Sequence, residues 1–293
     1  MSSEPAGSKT NANLNTADTM DGRTPLSWAA GNGHEEVVRI LLERTDINPE
    51  TTDEFGQTPL MWAAGSGHEG IVRMLLEQTD INPDTSDQYD RTPLLWAAGN
   101  GHEGVVRLLL EQNVDPGNAG GHGQTPLSRA AEYGHEGVVR ILLERSDVNP
   151  NTTDDEEERT PLLSAACNEH EEVVRILLER SDVDPDTTDI YGHTALSWAA
   201  ELGYEEVVRR LLERDDVNPN TTDTHGQTPL SLAAQNRHEG VVKILLGRND
   251  INPSIADKDG QAPASWAAQN GDHTMAALLY SLIPKVLAPR RVP

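Results

Sequence analysis

One nine-residue pattern recurs along the chain and constrains the fold more than any other feature. In its first copy, at residues 22–30, it reads Gly-Arg-Thr-Pro-Leu-Ser-Trp-Ala-Ala. Its threonine position returns every 33 to 35 residues, and a fixed spacing in this range is typical of stacked repeats that contact only their neighbours. The spacing therefore predicts an array of about eight units. The positions are Thr24, Thr58, Thr92, Thr125, Thr160, Thr194, Thr228 and, with alanine in place of threonine, Ala262.

Each unit is predicted to contain two short helices. Threonine can cap the first helix, and the proline after it suits the first helical position, where an N–H would have no partner. A glycine such as Gly33 ends that helix, because a left-handed residue is favoured there. In the second helix, residues 35–44, Val37, Val38 and Leu41 have the spacing of one apolar face.

The tryptophans share one position, four residues after the threonine. We expect this column to pack in the core between neighbouring helix pairs rather than to form a ligand site, since its spacing equals that of the repeat. The five members are Trp28, Trp62, Trp96, Trp198 and Trp266.

The complete unit, best seen at residues 53–83, resembles the ankyrin repeat: a turn, Thr-Pro-Leu, a short helix, Gly-His and a second helix. The resemblance implies an all-α solenoid of stacked helix-turn-helix units with β-hairpin-like turns, and the Asp-Ile-Asn-Pro linkers with Trp in the first helix are similar to fungal arrays. We expect a flexible tail at 1–18, a repeat domain at 19–283 and a second tail at 284–293. The histidine usual after Thr-Pro-Leu is absent, so the bonding it mediates in the family is not expected.

The charge limits the class of partner. The net charge is −25 with only four lysines, which argues against nucleic acids and anionic membranes, because both need a basic surface. The charge favours a basic protein partner, although acidic faces also serve solubility alone. No run approaches the roughly 18 apolar residues of a membrane span, and we expect a monomer.

The sequence gives little support for catalysis. Cys167 is the single cysteine, and with no secretory signal pattern it favours an intracellular location, the cytoplasm or also the nucleus. The resemblance implies that the Gly-His histidines bond the backbone as framework residues. The acidic loop 154–158 lacks the alternating ligand spacing of a calcium loop. We therefore predict no enzyme and no metal or cofactor, leaving open whether Cys167 or this loop has a function.

The candidate binding residues vary while the framework repeats. The resemblance implies that hairpin tips and the ends of the first helices line the concave side of the array. Aromatic side chains there are candidate anchors, because interface energy concentrates in a few such residues; the alternative is that they lean on the next hairpin. The tip candidates are Phe55, Tyr89, His122, Glu157, Tyr191 and His225. The helix-end candidates are Tyr133 and Leu202.

Two functions follow from these features. The first is a non-enzymatic protein-binding module or scaffold whose preorganised concave surface has aromatic tips and an acidic rim. The second is a recognition or regulatory segment of a larger protein, as in fungal immune-type receptors, which binds a ligand or docks intramolecularly. The repeat is least regular in the middle, where Glu158 and Glu169 replace glycines. Function or ordinary drift would each explain that irregularity.

Overall fold

The computed structural model of the chain describes residues 14–282. The predicted tail at 284–293 and residues 1–13 of the predicted N-terminal tail lie outside the described residues. Between residues 14 and 282 there are sixteen helices and no β-strand, so the predicted all-α class is confirmed. No helix in this range is long and apolar enough to cross a membrane.

The helices follow one another as pairs of similar length, each odd-numbered helix pairing with the even-numbered helix after it. Their bounds are α1 Pro25–Gly31, α2 Glu35–Leu42, α3 Pro59–Gly65, α4 Glu69–Leu76, α5 Pro93–Gly99, α6 Glu103–Leu110, α7 Pro126–Glu132, α8 Glu136–Leu143, α9 Pro161–Cys167, α10 Glu171–Leu178, α11 Ala195–Leu202, α12 Glu205–Leu212, α13 Pro229–Gln235, α14 Glu239–Leu245, α15 Pro263–Gln269 and α16 His273–Leu282.

The chain divides into two compact units. Among the described residues, the first consists of residues 14–97 and 104–115, and the second of residues 98–103 and 116–282. Within the first unit, α1 packs on α3 and α2 packs on α4. Within the second, first helices pack on first helices from α7 to α15, and second helices on second helices from α8 to α14. Within each unit, first helices therefore stack on first helices and second helices on second helices.

The threonine caps form as the sequence predicts. The Thr24 hydroxyl oxygen accepts a hydrogen bond from the Ser27 amide three residues later, which satisfies one of the free N–H groups of the first turn. Thr58 and Thr194 cap α3 and α11 in the same way. At Ala262, α15 begins without a side-chain cap.

The core consists of thin aliphatic layers. The Ala-Ala pair of each first helix lets neighbouring helices approach closely, and Ala63 and Ala64 are fully buried. Val38 and Leu41 of α2 are buried as predicted. The tryptophans were expected to pack in this core between neighbouring helix pairs. Trp62 does lie beside Gly31 of the preceding pair, but the expected burial is wrong: Trp28 is 42% exposed and the other four are half-buried. The indoles of Trp62, Trp198 and Trp266 lie where the first helix meets the hairpin turn, because each N–H donates to an aspartate of that turn.

Packing accounts for one residue of the irregular middle, Glu169. Glu158 and Glu169 have φ of 56° and 60°, the left-handed region that most other copies occupy with glycine. A Cβ built on Gly134 would lie 2.6 Å from the His170 ring of the next pair. After Glu169 the next pair has Tyr204 in the histidine position. Glu169 thus stands at the glycine position in a repeat whose neighbour lacks the histidine that would collide with its side chain.

Candidate functional site

A buried aspartate shapes each regular hairpin turn. Asp53 accepts two hydrogen bonds at Oδ1, from the backbone amides of Phe55 and Gln57, both 2.9 Å long. The turn also closes through the backbone, since the Asp53 amide donates to the Gln57 carbonyl. The tip residue lies between these anchor points. The same bonds hold the turns at Asp87, Asp189, Asp223 and Asp257.

A backbone ladder joins neighbouring tips. The carbonyl of Phe55 accepts a hydrogen bond of 3.0 Å from the amide of Gln88 in the next turn. In the second unit the carbonyls of His122, Glu157, Tyr191 and His225 accept equivalent bonds from Asp155, Ile190, Thr224 and Lys258. These bonds fix the spacing of the tips within each unit, and they give the turns the predicted hairpin-like character without regular strands.

The three aromatic tips expose their rings. Phe55 is 41% exposed, and Tyr89 and Tyr191 are each 46% exposed. Their backbone is fixed by the aspartate and the ladder, so little conformational entropy remains to be lost there on binding. Arg91 lies over Tyr89, with its guanidinium carbon 4.8 Å from the ring centroid. The backbone of these tips is therefore preorganised, and their rings are accessible.

The polar tips His122, Glu157 and His225 contact acidic or basic side chains of their own or the next turn. His122 contacts Glu156 at 2.8 Å from Nδ1 to Oε1, and Glu157 pairs with Arg159 at 2.8 Å. The His225 side chain is 79% exposed, with Nδ1 3.8 Å from Asp223. Such exposed pairs contribute little to stability, so these side chains remain accessible to a partner.

The two helix-end candidates, Tyr133 and Leu202, are also exposed, at 47% and 40%. The Tyr133 ring lies beneath the Arg129 guanidinium, 4.8 Å from its carbon, and 6.3 Å from the His135 ring, measured between centroids. Leu202 ends α11. Of the eight predicted site residues, Phe55 and Tyr89 lie in the first unit and the other six in the second.

Sequence reasoning missed an interaction between the turn and the first helix. The second carboxylate oxygen of Asp53 accepts a bond of 3.0 Å from the Trp62 indole N–H. Trp198 and Trp266 donate likewise to Asp189 and Asp257. Because a buried indole N–H needs an acceptor, this bond holds the ring beside the turn rather than in the core. The signal was an aspartate nine residues before each of these tryptophans.

Arginine side chains stack on these indoles. The guanidinium carbon of Arg23 lies 4.6 Å from the Trp28 ring centroid and 3.4 Å from that of Trp62. Arg91 lies over Trp96 at 4.3 Å. Such contacts contribute about 0.5–2 kcal/mol, depending on how far water is excluded. The stacking of arginines on the tryptophans was not predicted from the sequence, where the tryptophans were considered without these arginines.

The first unit contains an open cleft between the side chains of Trp62 and Trp96. The small residues Gly65 and Ser66 also line it. The complete lining is Gln57, Met61, Trp62, Gly65, Ser66 and Trp96.

The groups considered for chemistry are possible metal ligands, Cys167, the acidic loop and the Gly-His histidines. Across residues 14–282 no group of three or more His, Cys, Asp or Glu side chains is arranged to hold a metal ion. Burial raises the pKa of the Cys167 thiol to about 12, so at neutral pH it is protonated and a poor nucleophile. In the acidic loop, Asp154 Oδ1 accepts hydrogen bonds from the Glu157 and Arg159 amides. The Gly-His histidines bond backbone, as in the 2.9 Å contact between His170 Nε2 and the Glu132 carbonyl.

Comparison with known proteins agrees with the repeated helix pairs. The family model described as "Ankyrin repeats (3 copies)" matches at residues 6–87, 80–154, 146–223 and 216–286. A search of curated proteins found none that matches the chain. The family matches together extend over most of the sequence, and the stacked helix pairs with their capping threonines have the architecture that the family requires. The chain belongs to the ankyrin repeat family.

Proposed function

We propose that this protein is a non-enzymatic protein-binding module, or scaffold, that recognises its partner through the hairpin tips. Ankyrin repeats are generally protein–protein interaction modules. The observation that supports the tips most is the exposure of Phe55, Tyr89 and Tyr191 on turns that are fixed by buried aspartates. Tyrosine is among the residues in which binding energy concentrates.

The remaining tip and helix-end side chains would supply specificity. His122, Glu157 and His225 offer hydrogen-bonding and charged groups, whereas Tyr133 and Leu202 offer apolar contact. Because the turns need little ordering, a partner would spend little of its binding energy on rigidifying this surface. The mechanism is recognition by a preformed surface rather than by folding on binding.

The proposed partner is a basic protein. The chain carries 48 Asp and Glu against 23 Lys and Arg, and an acidic rim would attract a basic surface and repel nucleic acid. We further propose that the protein has eight repeats between residues 19 and 283 and acts as a monomer in a reducing intracellular compartment. The single cysteine supports that compartment.

Affinity capture from the source cell with quantitative mass spectrometry tests this function. The wild-type chain would be compared with Tyr89→Ala/Tyr191→Ala and with Tyr280→Ala, a matched control on α16 that is 54% exposed but lies on no hairpin. We expect the wild type and the control to retain a protein that the double variant loses. Equal capture by the wild type, the double variant and the control would show that the tips do not bind the partner.

A further inference from the structure

The first unit contains a built example of a cation held between two indoles. The Arg23 guanidinium carbon is 4.6 Å from the Trp28 ring centroid and 3.4 Å from that of Trp62. The two tryptophans occupy the same position of consecutive repeats, and Arg23 directly precedes the capping Thr24. Two tryptophans at this spacing can therefore hold one guanidinium between them.

The next two tryptophans, Trp62 and Trp96, repeat this spacing without an internal cation. The residue before the capping threonine is Gln57 here, which carries no charge. The side chains of Trp62 and Trp96 line a cleft together with Gly65 and Ser66. Gln57 is itself buried, with 6% exposure, and it lines the cleft. Its shorter side chain thus takes part of the space that Arg23 takes one repeat earlier, and the cleft is the part that stays open.

Glycine at position 65 keeps the cleft open. In two other copies the glutamine before the threonine donates to the side chain eight residues later. Gln124 donates to Glu132 at 3.1 Å, and Gln227 donates to Gln235 at 2.7 Å. The corresponding residue for Gln57 is Gly65, which has no side chain to fill the space or to accept such a bond.

The charge around the cleft favours a cation. Residues 50–97 contain nine Asp and Glu against two Arg. The arginines that stack on the two cleft indoles are already paired with carboxylates, Arg23 with Asp21 at 3.7 Å and Arg91 with Asp87 at 2.8 Å. Their positive charge is therefore partly neutralised, and residues 50–97 as a whole carry an excess of negative charge.

We propose that the cleft between Trp62 and Trp96 binds the guanidinium group of an arginine on the protein partner, as Arg23 is held between Trp28 and Trp62. Guanidinium suits the cleft better than ammonium because it is planar, stacks on aromatic faces and is less strongly hydrated. The inference deepens the proposed function, on which it rests, by naming the side chain that the partner would insert.

The test uses the full chain labelled with ¹⁵N and a short peptide with one arginine between glycine and serine residues. A peptide with citrulline, the neutral isostere, is the matched ligand. We expect the arginine peptide to bind in the millimolar range and to shift the indole N–H signals of Trp62 and Trp96. The signals of Trp198 and Trp266 should stay in place, and the citrulline peptide should cause no shift.

A variant that fills the cleft from within provides the second arm. Gln57→Arg places arginine where Arg23, Arg91 and Arg159 already occur in other copies, so the position tolerates it. We expect it to weaken peptide binding about tenfold, the loss expected for one cation–π contact with two rings. The matched control, Gln261→Arg, should bind as the wild type does.

Equal shifts with the citrulline peptide, no shift with arginine, or unchanged binding by Gln57→Arg would each overturn the inference. The proposed function fails on a different readout, the capture of a protein partner by the hairpin tips. A chain that binds the peptide at the cleft but captures no protein would uphold the cleft and contradict the function.

Discussion

Single residues in the linkers decide how well neighbouring repeats are joined. Asn151 donates from Nδ2 to the Asp182 carbonyl and accepts at Oδ1 from the Asp184 amide. Asn220 makes the same two bonds two repeats later. Between them Asp186 occupies the equivalent position and only accepts, from the Asn218 amide. A carboxylate has no N–H to donate, so one of the two bonds is missing there.

Asp186→Asn is therefore expected to stabilise the protein at neutral pH by about 1 kcal/mol, the contribution of one hydrogen bond. Burial, with the nearby charges of Asp184 and Asp216, raises the pKa of Asp186. A raised folded-state pKa means that the ionised form costs stability above that pKa, and that the cost disappears as the pH falls through it. The advantage of asparagine should accordingly shrink in acid.

Urea unfolding of the variant and the wild type at neutral and acidic pH checks this prediction. The reverse exchange, Asn220→Asp, is the matched control and should lower the midpoint at neutral pH. A midpoint for Asp186→Asn that is equal to or below that of the wild type would show that the missing bond is not limiting.

Two features favour glycine at position 134: its left-handed backbone and the closeness of the His170 ring in the next repeat. Gly134 and Gly271 have φ of 74° and 75°, yet a Cβ would meet the His170 ring in the first case and no atom within 4 Å in the second. Alanine at either position should cost about 1 kcal/mol for the left-handed backbone. Gly134→Ala should cost about 1–2 kcal/mol more, because His170 must move and lose its bond to the Glu132 carbonyl.

A double-mutant cycle separates the two costs. In a His170→Ala background, Gly134→Ala should destabilise the protein no more than Gly271→Ala does, as measured by chemical denaturation. Purely additive effects of Gly134→Ala and His170→Ala would contradict the explanation of Glu169 by packing.

At the scale of elements, the same helix position has different environments in different copies. Val37 in α2 and Val138 in α8 are both the third residue of a second helix. Val37 is 46% exposed and Val138 is fully buried. Val138→Ala is expected to destabilise by about 2 kcal/mol through lost burial and the cavity left behind. Val37→Ala should change stability by less than about 0.5 kcal/mol.

Thermal and chemical unfolding of these two variants provide an internal comparison, since the chemical change is identical. A similar loss in both would mean that Val37 is covered in solution. That result would imply that an apolar group packs against α2 and covers Val37.

The helices were predictable because each has strong local signals. The threonine caps, the proline after them and the apolar spacing of residues such as Val38 and Leu41 all report on a few neighbouring positions. The depth of the tryptophans was not predictable from spacing, because Trp62 takes its position from a hydrogen bond to Asp53 in the turn. The cleft required several copies to be compared in space, since it depends on the combination of Gln57 with Gly65, whereas Arg23 is combined with Gly31 and Gln124 with Glu132.

At the scale of the whole molecule, the net charge of −25 should make partner binding sensitive to salt. Exposed charges are screened beyond about 8 Å at physiological ionic strength. We expect the dissociation constant for the captured partner to rise as sodium chloride is added, mostly through slower association. Surface plasmon resonance across a salt series measures both rates, and an affinity that does not depend on salt would remove the acidic rim from the mechanism.

The central claim is that exposed, preorganised tips bind a protein. The most direct measurement is isothermal titration of the captured partner into the wild type, Tyr89→Ala, Tyr191→Ala and Tyr280→Ala, with the unfolding temperature of each recorded. We predict that at least one tip variant loses about 2 kcal/mol of binding energy, or roughly thirtyfold in affinity, with its stability nearly unchanged. The Tyr280→Ala control should bind as the wild type does. Unchanged affinity in both tip variants, or a tip variant that unfolds as readily as a core truncation, would contradict the account.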